Sequence, residues 1–102
     1  MSTDRDNALR LLRVLYERHL GERDQDAALA MTISPEMQDA EAAGVGYATT
    51  SYNQAIRWLL DEGALVPDEA LNAMYANVVD APEHGWGFKI TPTGLELLRR
   101  DA

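Results

Sequence analysis

Residues Phe88–Leu98 read FKITPTGLELL, a short alternating stretch that runs straight into a proline and a second apolar pattern. Phe88 and Ile90 flank Lys89 with the period of a strand that buries one face. Thr91 has an N-cap side chain, and Pro92 has the fixed φ tolerated at a first helical position. Leu95 and Leu98 then recur at helical spacing, and Arg99 and Arg100 complement the negative end of the dipole. The stretch predicts a return strand followed by a closing helix, and a return strand requires a partner upstream.

Working back towards the N-terminus, APEHGWG (81–87) has the Pro and Gly content of a turn, and NVVD (77–80) is the expected outgoing strand. PDEALNAMYAN (67–77) places Leu71, Met74 and Tyr75 at helical intervals, enough for one or two turns. Ser51-Tyr52-Asn53-Gln54 has the spacing of a capping box. It opens a helix over 51–63 whose buried face is Tyr52, Ala55, Ile56, Leu59 and Leu60; Gly63 ends it before ALV leaves extended.

Upstream of that helix, Ser34-Pro35-Glu36 predicts another, running to about Ala43 and stopping at Gly44. GERDQDAALAMTIS (21–34) fits a short helix or a short strand. Residues 5–20 set Ala8, Leu9, Leu12, Leu15, Tyr16, His19 and Leu20 on one arc, with Gly21 as the left-handed stop. Leu11 and Val14 fall off that arc, and offer either a second contact surface for a partner subunit or isolated surface apolar residues.

The chain has 102 residues, 46% apolar and 25% charged, with no repeat and no Gly-, Ser- or Pro-rich linker, so one domain over 1–102 is the expectation. No apolar run reaches a membrane span, and MSTDRDNALR lacks the pattern of a signal peptide, which predicts a cytoplasmic protein. Zero cysteines exclude disulfides and thiolate metal sites. His19 and His84 read as a core-edge and a loop residue, and no cofactor is expected.

The order helix, helix, turn, capped helix, strand, wing, strand, helix resembles the winged helix-turn-helix superfamily. Ala40 and Gly44 match its A-x-x-x-G ending of the first motif helix, and Tyr52, Ile56, Leu59 and DEGALV match the recognition helix and its exit. FKITPTGLELL is similar to the Y-x-L-T-x-x-G-x-x-L-L close of PadR-like and MarR-like regulators of bacteria and archaea. The resemblance covers roughly residues 8–98 and implies an α+β, mainly helical fold with a small antiparallel β-wing. Two features depart from it. The turn between Gly44 and Tyr52 is about two residues longer than the tight version, and Pro67 to Glu83 exceeds a simple wing.

The resemblance also implies a DNA-binding regulator of transcription, working as a homodimer, whose helix over 51–63 enters the major groove. Candidate contacts to double-stranded DNA are Thr50, Ser51, Asn53, Gln54 and Arg57, with Lys89 from the wing. The subunit contact would come from the 67–83 insertion or the first helix.

Charge points the other way. Seventeen acids against nine bases give a net charge of -8, the wrong sign for affinity built on phosphate contacts. The rival expectation is an acidic winged-helix module that binds a protein and no nucleic acid, through Trp58 and Trp86. Trp58, beside Arg57, is either an exposed hot spot or is covered by the segment Leu71 to Tyr75. Trp86, between two glycines, is either a wing-tip contact or folds back on the hairpin. Catalysis is not expected: no nucleophile elbow, P-loop or metalloprotease motif is present, and the acid pairs Asp61-Glu62 and Asp68-Glu69 read as solvated surface.

Overall fold

The computed structural model describes residues 3–21, 23–79 and 82–100. Helix α1 is Asp4–Leu15, and its last turn widens into a π-helical turn, Tyr16–Leu20. The Thr3 hydroxyl accepts from the Asp6 amide at 3.1 Å, and Gly21 ends the element at φ 44°. Ala8, Leu9, Leu11, Leu12, Leu15 and Leu20 are all buried. Leu11 is therefore core rather than a second surface: the closing helix packs on that side of α1 and Val14 is half-buried against the same cluster. Of the two residues off the main arc, Val14 alone keeps part of its surface exposed.

The ambiguous stretch contains both alternatives. Helix α2, Gln25–Ala30, is capped by Asp24, whose carboxylate accepts from the Ala27 amide at 2.8 Å. Ile33 then exchanges backbone hydrogen bonds with Phe88 at 2.7 and 2.9 Å, a single antiparallel bridge. Helix α3 is Met37–Ala42, capped by Glu36 rather than Ser34. It starts later than expected because Ile33 is held in the bridge and Pro35 is buried ahead of the first turn. Gly44, at φ 80°, ends it as expected.

Helix α4, Thr50–Asp61, buries Tyr52, Ala55, Ile56 and Leu59 against α1, the most extensive helix contact in the molecule. Fully burying one such aliphatic side chain contributes about 1.5–3 kcal/mol before entropy is subtracted. Strand β1, Leu65–Pro67, leaves α4 directly and pairs antiparallel with β2, Phe88–Ile90, in the register Leu65↔Ile90, Val66↔Lys89, Pro67↔Phe88. The expected outgoing strand over 77–80 is not formed: residues 77–79 are turn and irregular backbone with Val78 and Val79 exposed, and Asp80 lies outside the described residues. The partner of β2 is the exit strand of α4, which takes up the edge that the valines would have needed.

The two strands are joined by helix α5, Glu69–Met74, and a long loop. Helix α6, Pro92–Arg100, closes the chain. Thr91 caps it as expected: its hydroxyl accepts from the Gly94 amide at 3.0 Å while donating to the Gly63 carbonyl. The architecture is α+β and mostly helical, with one buried cluster joining α1, α4, α6 and both strands. No described helix is long and apolar enough to cross a membrane.

Candidate functional site

The turn between α3 and α4 decides how α4 begins. The amide of Val45 donates to the Ala40 carbonyl at 2.9 Å, and Ala48 takes a left-handed φ of 60°, rare for a residue with a Cβ. Thr49 is the N-cap, yet its hydroxyl donates back to the Gly46 carbonyl at 2.6 Å instead of capping the helix. The expected Ser51–Gln54 capping box is absent, because the helix starts earlier, at Thr50, and both side chains lie exposed on its first turns. The amides of the first turn of α4 thus have no side-chain acceptor at their N-cap.

Thr50, Asn53, Gln54 and Arg57 line one polar groove of about 240 Å³ with Glu83 and His84 from the β1–β2 connection. Ser51 is exposed on the same turn but does not line it. The Asn53 Oδ1 is shielded from solvent and has no hydrogen-bond partner. Arg57 and Asp61 are both well exposed, one helical turn apart, with Nε and Oδ2 3.8 Å apart. His84 Nε2 lies 3.6 Å from the Glu83 carboxylate. Lys89 is set apart, at the centre of β2 opposite Val66. It helps to hold the Asp68 carboxyl below its ordinary range, behind the larger effects of the Thr32 hydroxyl and the Leu71 amide.

The Leu71–Tyr75 segment meets Trp86 and not Trp58. Trp58 is half-buried against the core, and its accessible edge joins Asp4, Gln54, Arg57 and Asp61 in a shallow groove. Helix α5 lies over Trp86 instead: the Tyr75 and Trp86 rings are 6.1 Å apart at 59°. Asn72 holds that arrangement, its Oδ1 accepting from the amides of Trp86 and Gly87 at 2.8 Å each and its Nδ2 donating to the Gly87 carbonyl at 3.2 Å. Trp86 has therefore folded back onto the hairpin connection, one of its two expected placements.

A second polar cluster sits under the α3 end of the site. Asp39 is fully buried; its Oδ2 accepts from His19 Nε2 at 2.7 Å and from the Glu36 amide at 2.8 Å. Arg18 Nε approaches the other oxygen to 2.5 Å as an ion pair, outside hydrogen-bond geometry. The π-helical turn brings Arg18 and His19 to α3 together, and the cluster ties that turn to the helix before the α3–α4 turn. With arginine as its third member it is an ion-pair network and not a ligand set. Burial, then Tyr47 and Asp39, pushes the Tyr52 phenol far above the ordinary tyrosine value.

Sequence reasoning missed Glu83, His84 and Asp39. The first two face α4 across a long loop, and no local pattern encodes that approach. Asp39 had a signal in the Glu36-x-x-Asp39 spacing of a capping box, closed here by the Glu36 amide bond. No protein-family model, curated protein or solved structure matches the chain.

Proposed function

We propose that this protein is a winged helix-turn-helix DNA-binding regulator of transcription with α4 as its recognition helix. The observation that carries the reading is the outward face of α4. Thr50, Ser51, Gln54 and Arg57 are exposed on a helix whose opposite face is locked into the core, and whose first-turn amides lack a side-chain cap. Exposed amides at a helix start suit phosphate, amide side chains suit adenine, and arginine suits guanine. The placement of the sheet also supports it: Ile33 before α3 bridges to β2, and β1 follows α4, the positions expected of the strands of a winged helix. In this reading the connection carrying α5 replaces a simple wing, and its exposed Met74, Tyr75, Val78 and Val79 supply the contact of a homodimer.

One observation favours the rival, a protein-interaction module. Arg57 is the sole base of α4, and Asp61 stands against it. Amide NMR of the labelled protein titrated with mixed-sequence duplex DNA separates the two. DNA binding shifts the amides of Thr50 to Arg57 first; an unchanged spectrum at low salt transfers the reading to the protein-interaction module.

A further inference from the structure

We propose that the groove between α1, α2 and α6 binds a small aliphatic carboxylate. The decisive residue is Arg13, half-buried on α1 in a chain with seventeen acids to nine bases. Arg18, Arg57, Arg99 and Arg100 each face an acid, but no carboxylate among the described residues stands within ion-pair distance of Arg13. Its Nη2 donates to the Leu98 carbonyl at 3.0 Å, which turns the guanidinium towards the end of α6 and leaves its other N–H groups for a ligand. A cation stripped of part of its hydration favours an anion that replaces the lost water.

The groove beside it encloses about 260 Å³ and is lined by Arg13, Tyr16, Gln25, Leu95, Leu98 and Arg99. Each polar side chain there can donate a hydrogen bond and none is acidic. Glu96 lies outside the lining and is shared, 3.2 Å from Arg99 and 3.3 Å from Arg100, so one carboxylate serves two guanidiniums and the end of α6 keeps a positive surplus. Such exposed pairs are weak, and Arg99 turns to a ligand at little cost. Between the donors, Leu98 and the half-buried Leu95 form an aliphatic floor. An inorganic anion would leave that floor wet, and a neutral hydrocarbon would leave Arg13 unpaired. A carboxylate with a short alkyl tail meets both needs, its oxygens on the guanidinium N–H groups and its tail on the leucines. Ordinary small-molecule sites run to roughly 300–1,000 Å³, so the occupant is a small one. The groove shares no residue with the polar groove on α4, and its occupancy is measured without DNA.

The test is a titration of the labelled protein with sodium hexanoate at constant ionic strength, followed by amide NMR, with hexanol and inorganic phosphate as controls. The expected result is saturable movement of the Arg13, Tyr16, Gln25 and Arg99 amides with half-saturation at about 10 mM or below, and at least about tenfold weaker binding of each control. Arg13→Gln weakens hexanoate binding by roughly tenfold or more. Because Arg13 also holds the end of α6, Gln25→Glu is the second variant. It leaves that contact intact, suits the first turn of α2, and weakens binding several-fold by placing a negative charge in the groove. Arg100→Gln, outside the lining, leaves binding unchanged. Absence of saturation at tens of millimolar hexanoate, equal binding of hexanol or phosphate, unchanged binding in Gln25→Glu or in folded Arg13→Gln, or an equal loss in Arg100→Gln overturns the proposal.

Discussion

Gly94 lies in the first turn of α6, where alanine would be the better helix former by about 1 kcal/mol. A Cβ there would stand 2.4 Å from the Ala64 carbonyl oxygen and 2.8 Å from Ile90 Cγ1. The first neighbour is backbone at the start of β1, so it cannot rotate away. Gly94→Ala is expected to lower stability by about 1–3 kcal/mol, read as a fall in the urea midpoint at constant slope. A midpoint that holds or rises would show that α6 does not seat this closely on β1. Tyr52 offers a second test, with a sign fixed by linkage. Its phenol keeps its proton in the folded protein beyond the point, near pH 10, where the unfolded chain gives it up. Above that pH the unfolded state holds fewer protons, so stability is complete below about pH 10 and falls as pH rises, by at most about 1.4 kcal/mol per unit. Tyr52→Phe should flatten most of this alkaline loss in urea titrations across pH 9–11, roughly. At neutral pH the variant should cost little, since the hydroxyl it removes has no partner. Tyr47, raised by burial in the same direction, accounts for a residual slope.

Among the elements, α5 is tied down by polar contacts beside the Tyr75–Trp86 ring pair. None of its residues is fully buried; Asp68 caps it through the Leu71 amide at 3.1 Å, and Asn72 ties it to the loop before β2. Asn72→Leu should raise hydrogen exchange at the Trp86 and Gly87 amides by about tenfold or more while α1 and α4 keep their protection. Exchange that rises equally throughout would mean that α5 opens only with the whole fold. The same contrast explains what was legible. Helices α1 and α4 each bury a stripe of large residues, and α6 buries Leu98 with Leu95 half-buried a turn before it; that periodicity is written in their sequences. The valines of 77–79 alternate with nothing and find no edge, whereas Leu65 and Val66 form the strand because they emerge from α4 beside β2. Ile33 makes a single bridge, too short for any periodic signal. That Thr50, Asn53, Gln54 and Arg57 would lie together was legible because they share one helix. Their neighbours Glu83 and His84 were not, because a long loop carries them there. The helical 71–75 segment was anticipated, but not that it would cover Trp86 in place of Trp58.

For the whole molecule, the decisive quantity is charge against shape. The exposed helix face is suited to a groove, while the net charge of -8 opposes a polyanion. The conflict is local as well as global, since Asp61 stands beside Arg57 and Glu83 shares the groove of Asn53 and Gln54. Asp61→Asn should therefore tighten DNA binding several-fold at low salt, with the gain fading as salt screens it. The most direct measurement of the central proposal is fluorescence anisotropy of a labelled mixed-sequence duplex titrated with the protein over a salt series. Binding is expected to weaken steeply with salt and to be lost in Arg57→Ala. No binding at the lowest salt, or binding that Arg57→Ala leaves unchanged, would contradict α4 as a DNA-recognition helix.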